Sequence, residues 1–373
     1  MPIFSKPNAT LYAKKQTGKG AAAALSGANA VDFRRDSPLI WPKGEMIDRG
    51  LNRAGRFPSA KFIAGQWGEG GVNHELRGSG AAGTPPSGLS PFLETLFGSE
   101  LTNTAGTVEA GSGAVGGFDS TLSLTVGQLV RVEVGGGHEV RRIADKTGAG
   151  PVYSYTVQRN FSQAPADAAV ISAGVTYCHM GTEAETFMTL EQYVGTVRHT
   201  FTDAVCEQLQ LTIAERQLLI ATLAVRSLSY AKATATPDPY TEAFDDTQPH
   251  AATLMNLVKG GSLLDMKSCE FTLGTRRARG GINSAGYGDL PWKSVFEATG
   301  KIAPWVEDFA AFDDFFAGTL ATLETTKGTA AGNIVHLELG GIQYTGPEVG
   351  EEEDDFIWDL PFEVTGGVWL GLF

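Results

Sequence analysis

Cysteine is nearly absent from this sequence: only Cys178, Cys206 and Cys269 occur in 373 residues. The number is odd, the spacing is wide and there is no CxxC pair, which argues against a disulfide framework or a cysteine zinc site. Buried free thiols are expected instead. No run of about 18 apolar residues occurs, so no membrane-spanning helix is expected. The first 19 residues carry lysines without an apolar stretch behind them, and 21–24 is too short for a signal h-region; the chain is read as made and kept in a cytoplasm. Signatures of common enzyme classes are missing too: there is no GxxxxGK[ST], no GxSxG and no HExxH. His74, His138, His179, His199, His250 and His336 never fall at ligand spacing. Two GxGxxG matches, at 78–83 and 111–116, lack the strand–glycine–helix setting that a dinucleotide pyrophosphate needs. Cys178-His179 is the only adjacent Cys/His pair, and it reads as strand residues near a domain junction, with no activating base in view. Neither a cofactor nor a metal is expected.

Glycine is abundant, 47 residues against a norm of about 7 %. With 42 % apolar residues the chain can build a sizeable core, and the glycines suit many turns and hairpins. Net charge is −13 and unevenly spread. Residues 1–60 hold ten Lys and Arg against four Asp and Glu. Residues 289–373 hold 16 acids against Lys293, Lys301 and Lys327. Complementary surfaces between copies of the chain are one reading of this split; a solvated arm and a solvated loop are the other. The candidate contacts are Lys14, Lys15, Lys19, Arg34, Arg35 and Trp41 in the arm and Arg276, Arg277 and Arg279 in a basic loop. Their acidic counterparts are Glu351, Glu352, Glu353, Asp354 and Asp355. That acidic run lacks EF-hand spacing and reads as a solvated hairpin tip more readily than as a calcium site.

Patterning divides the chain. Residues 1–56 read as an extended, irregular basic arm with Ile40, Trp41 and Met46 to dock it. A first module covers 57–105 and 173–235. Its expected strands are 61–67 and 72–78, joined by a turn at 68–71, then 186–193, 196–201, 208–213 and 218–225. A helix is expected at 90–97, with Ser90 as N-cap, Pro91 in its first turn, Glu94 near its positive end and Gly98 after it. Between the two parts of this module lies a small all-β insert, 106–172, of four or five strands that include 121–125, 129–134, 139–143 and 153–157. Residues 236–249 read as a linker. A second module, 250–373, carries expected strands at 269–273, 294–302, 319–325, 333–339 and 356–364, a polar loop at 276–288 and an aromatic-faced helix at 307–316. Both modules run strand, strand, short helix ending in Gly, then further strands. The fold class is therefore mainly β (α+β), two tandem sandwiches each flanked by a short helix.

The strand pair at 61–78, the segment PSGLSPFLETLFG at 86–98, the stretch TFMTLEQY at 186–193 and the hairpin at 208–225 carry a resemblance. The sequence resembles the major tail tube proteins of siphophages, in pattern over 57–373. The resemblance implies a β-sandwich flanked by a helix. It implies copies joined edge to edge into a ring with a β-barrel inner wall, and rings stacked into a virion tube that conducts DNA without binding it specifically. It carries no catalytic residues. Two modules in one chain imply a trimeric ring with pseudo-sixfold symmetry, a hexamer being the fallback. Other tail proteins are expected at the tube ends, and no membrane. Closed barrels remove strand edges, and non-closing head-to-tail contacts give filaments. Two other readings stand beside this one: a capsid decoration or adhesin-like virion protein that binds a surface through the insert, and a hydrolase using Glu307, Asp313 and Asp314.

Overall fold

Period-two alternation becomes strand almost throughout. The structure is a computed structural model that describes residues 9–47, 62–181, 183–214, 217–234, 237–243, 247–250, 256–276, 289–352 and 355–373. Its first half contains β1 (Ala9–Lys15), β2 (Trp41–Ile47), β3 (Phe62–Glu75), α1 (Ser90–Phe97) and β4 (Ser99–Asn103). There follow β5 (Gly106–Thr107), β6 (Gly117–Ser120), β7 (Leu129–Val134), β8 (Gly137–Thr147), β9 (Tyr153–Val157) and β10 (Val170–Ile171). Then come β11 (Gly174–Cys178), β12 (Met188–Val194), β13 (Val197–Ala214) and β14 (Ile220–Ala233). The second half holds β15 (Asn256–Lys259), β16 (Ser262–Leu264), β17 (Met266–Arg276), β18 (Trp292–Pro304) and α2 (Ala310–Ala317). It ends with β19 (Ala321–Lys327), β20 (Val335–Tyr344), β21 (Glu348–Glu352), β22 (Asp355–Val364) and β23 (Val368–Leu372). Among the described residues no helix is long and apolar enough to cross a membrane.

Antiparallel pairing arranges these strands in two long series. One runs β2-β3-β14-β13-β17-β18-β22-β21. The other runs β4-β11-β23-β20-β19-β15-β16. Both supply side chains to one continuous core, among them Leu211, Leu223, Phe271 and Phe362 from the first and Val175, Leu337, Leu339 and Leu370 from the second. The two modules are thus joined at two seams, β13 to β17 and β11 to β23. The last strand of the chain lies beside β11 of the first module, so the modules share an interior.

The helices repeat at the residue level. Each is eight residues long and ends at a glycine with positive φ, Gly98 at 88° and Gly318 at 65°, the conformation that stops a helix without strain. Each holds an acid at its fifth residue, gripped by a lysine of an earlier strand: Lys15 to Glu94 at 2.6 Å, Lys259 to Asp314 at 2.5 Å.

The insert is a sheet of its own, ordered β5-β10-β7-β8-β9-β6. It has a separate core of Phe118, Val130, Val132, Ile143, Tyr155 and Phe161, among others. It rests on the second module. Arg142 lies 3.8 Å over the Trp369 ring and 2.8 Å from Glu338, and Arg159 reaches Glu324 at 2.7 Å. Such a cation on an aromatic face contributes about 0.5–2 kcal/mol as it is desolvated.

Several expectations are corrected. The strands expected at 61–67 and 72–78 are one strand, β3, and 68–71 is no turn. A Cβ on Gly68 would sit 2.3 Å from Cδ1 of Phe201, and one on Gly70 2.4 Å from the Leu39 carbonyl oxygen. These glycines admit neighbours; they do not turn the chain. The arm expected to be irregular contains β1, paired to β12, and β2, paired to β3. The strands expected at 196–201 and 208–213 are one strand, β13, bulged between Cys206 and Gln208. Residues 121–125 are not strand, because the chain turns after β6 and Leu124 is tied by its N–H to the Tyr155 hydroxyl. The insert has six strands, two of them only two residues long. Ser90 is not the N-cap of α1: Leu89 is, and the Ser90 hydroxyl donates to Glu100. Glu94 lies past the first turn, so Lys15 and not the helix dipole holds it.

Candidate functional site

The outward face of the eight-strand series is a polar surface that both modules build together. Opposite residues of an antiparallel pair share a face, so the register can be read straight across the seam. Leu211 pairs with Ala221 and Phe271, Phe271 with Gly300, and Gly300 with Phe362. That row points inward. Gly300 is required there, since a Cβ would come 2.4 Å from the Phe362 ring. The next row points outward: Asn73, Thr222, Gln210, Thr272, Thr299 and Glu363. Five neutral amides and hydroxyls and one acid cross six strands of two modules.

Charge around this row is unequal. Glu69, Glu207, Glu270, Glu297, Asp359 and Glu363 outnumber Arg226, Lys293 and Lys301. Each of these cations is held by a carboxylate: Arg226 by Glu207 at 3.8 Å, Lys293 by Glu297 at 2.8 Å, Lys301 by Asp359 at 2.6 Å. Burial raises the Glu207 carboxyl above its ordinary range, partly offset by Arg226. A phosphate backbone meeting this row finds short polar groups, excess carboxylates and, in these three cations, charges already partnered. Counterion release, the main source of nonspecific DNA affinity, has little to draw on here.

The residues expected to mediate stacking scatter. Lys14 donates to the Ala24 carbonyl, Lys15 binds Glu94, Lys19 binds Asp289 at 2.7 Å, and Arg34 reaches Asp36 and Glu75. Arg35 is exposed. Trp41 is 45 % exposed on β2, with its ring edge-on to His199. Arg276 is a correction. It ends β17 inside the protein, donating to the carbonyls of Thr95, Leu290 and Thr186 and lying 3.3 Å over the Trp292 ring. Desolvation lowers its pKa to about 10, and it is no part of an exposed basic loop. Arg277 and Arg279 lie outside the described residues, as do Glu353 and Asp354. Glu351 is exposed on β21, and Glu352 pairs with Asp355 at the hairpin end.

The catalytic alternatives find no support in the geometry. Burial pushes the Cys178 thiol up to about 12, which holds it protonated, and the neighbouring His179 faces the Phe97 carbonyl and Glu183. Asp314 is committed to Lys259. Among the described residues no three His, Cys, Asp or Glu converge as metal ligands. The outward polar row was missed in the sequence, although the alternating Gln and Thr of β13, β14 and β17 signal it. What the alternation lacks is the seam that aligns these residues into one row.

No curated protein matches the chain in sequence. The family model described as phage tail tube protein matches residues 7–366.

Proposed function

The chain belongs to the phage tail tube protein family and is a structural subunit of the virion tail, not an enzyme; from that premise we propose that three copies close one ring and that the outward face of the eight-strand series lines its channel. Members of the family oligomerise into stacked rings. The observation that carries the threefold reading is the β13–β17 seam. There a strand of the first module pairs over seven residues with a strand of the second, in the manner of two subunits joined edge to edge. One chain thereby supplies two adjacent ring positions, and three chains supply six. The polar, net acidic row on the outward face suits a wall along which duplex DNA slides, because the three cations beside it, Arg226, Lys293 and Lys301, are each held by a carboxylate. The basic arm remains the proposed source of contacts between stacked rings, with the exposed Arg35 as its best-placed described member.

Native mass spectrometry of rings released from tubes under mild salt tests the stoichiometry. A closed species of three chains is expected. A closed species of six overturns the threefold reading and leaves the family role intact.

A further inference from the structure

The two modules repeat their strands in the same order, and the repeat is open at both ends. The first module contributes β2-β3-β14-β13 and the second β17-β18-β22-β21 to the eight-strand series. Matching hairpins and crossings make β2 the counterpart of β17 and β13 the counterpart of β21. The counterparts β13 and β17 meet inside the chain. Among the described residues β21 pairs only with β22, and β2 only with β3. These two are the outer edges of the series.

The helices show the same incompleteness. All eight residues of α1 are buried, and part of its cover comes from the second module: Thr275 Oγ1 donates to the Leu96 carbonyl and Arg276 Nε to that of Thr95. α2 has no buried residue. Leu96 and Phe316 are both the seventh residue of their helices. Leu96 is 0 % exposed under the end of β17, whereas Phe316 is 79 % exposed. Phe309 and Leu320, which flank α2 in the chain, are exposed as well, and the exposed Leu263 and Trp305 line a cleft with its Ala310, Ala311 and Asp314, so large apolar side chains are exposed around the helix. Among the described residues β17 has no successor to cover α2 as it covers α1.

We propose that the open end of the second module, α2 with the β21 edge, receives the β2 edge of a second copy of this chain. The joint repeats the one by which β17 meets β13 and α1 within a single chain. It rests on the ring reading above and names the surfaces that close the ring. The charges agree: Glu348 and Glu351 are exposed on β21, and Lys43 is exposed on β2. Each copy presents β2 on one side and α2 with β21 on the other. The joint is therefore heterologous, able to close a ring by rotation.

Size-exclusion chromatography with light scattering on the full chain tests this with two variants, Phe316→Glu and the double variant Lys43→Glu/Gly44→Glu. All substituted positions are exposed, so circular dichroism and melting of the unassembled chain should match wild type. Each variant alone should lose self-association by roughly a hundredfold, as expected for a central apolar contact or a row of like charges at an edge. Mixed in equal amounts, they should form a complex of two chains, because each keeps the surface the other has lost. If Phe316→Glu assembles as wild type does, or the mixture yields no two-chain complex, the inference is overturned and the ring reading survives. A wild-type chain that stays monomeric at every concentration overturns the ring reading itself, and the inference with it.

Discussion

His336 shows how one residue couples burial to acidity. It lies on β20, 1 % exposed, with Nδ1 2.7 Å from the Thr326 hydroxyl, beneath the docked insert. Desolvation, reinforced by Arg141 and Arg159, lowers its pKa to about 3. An unfolded histidine titrates near about 6.5, so the unfolded chain takes up the proton first as pH falls. The stability contributed by the neutral ring is complete above that pH and is lost progressively toward pH 3. Glu324 nearby has a raised pKa, again mainly from desolvation, and its pH dependence has the opposite sign. A difference measurement separates the two. Urea unfolding of wild type and His336→Gln should diverge between pH 6.5 and 4.5, wild type losing roughly 2–3 kcal/mol more than the variant. Parallel curves would contradict the assignment. Arg276 marks what a sequence hides at this scale. Its charge and its neighbours Arg277 and Arg279 are plain in the sequence and suggest an exposed cluster. That its guanidinium turns onto Trp292 and three carbonyls depends on contacts with α1 and with the segments leading into β12 and β18, which no local pattern encodes.

At the scale of elements, glycine is the main source of misreading. The run Gly68-Glu69-Gly70-Gly71 has the composition of a hairpin turn and is the middle of β3. The Phe201 ring fills the space over Gly68, and its residue lies more than a hundred positions away. Gly68→Ala should therefore destabilise the chain by about 1–3 kcal/mol in chemical denaturation, the usual cost of overpacking a filled site. Gly346→Ala meets nothing within 4 Å and should change stability by about 0.5 kcal/mol or less, or raise it slightly. Equal effects at the two positions would contradict this account of β3. Strongly alternating or capped elements were legible: α1 runs Ser90–Phe97 as its Pro and Gly predict, β9 spans 153–157, and the aromatic helix is found three residues later at its start than expected. The strands missed, such as β1, β15 and β23, are short or lie beside lysines and glycines. They are strands because a neighbour's edge pairs with them.

At the scale of the whole molecule, the tandem organisation was visible as a repeated order of elements. The shared interior was not. β23 closes the second module against β11 of the first, and β13 meets β17 across the seam. Neither pairing has a local signature, because pairing partners are chosen by the assembled sandwich. The same seam turns scattered Thr and Gln residues into one polar row and leaves β2 and β21 as outer edges, and from it follow the threefold ring, the channel wall and the joint between copies. Electron cryomicroscopy of tubes grown from the purified chain tests all three at once. Stacked rings of three chains are predicted, with Asn73, Thr222, Gln210, Thr272, Thr299 and Glu363 facing the lumen and α2 covered by the β2 edge of the next copy. Rings of six chains, or tubes with that row on the outer wall, would contradict the account, as would a preparation that yields only discrete globular particles.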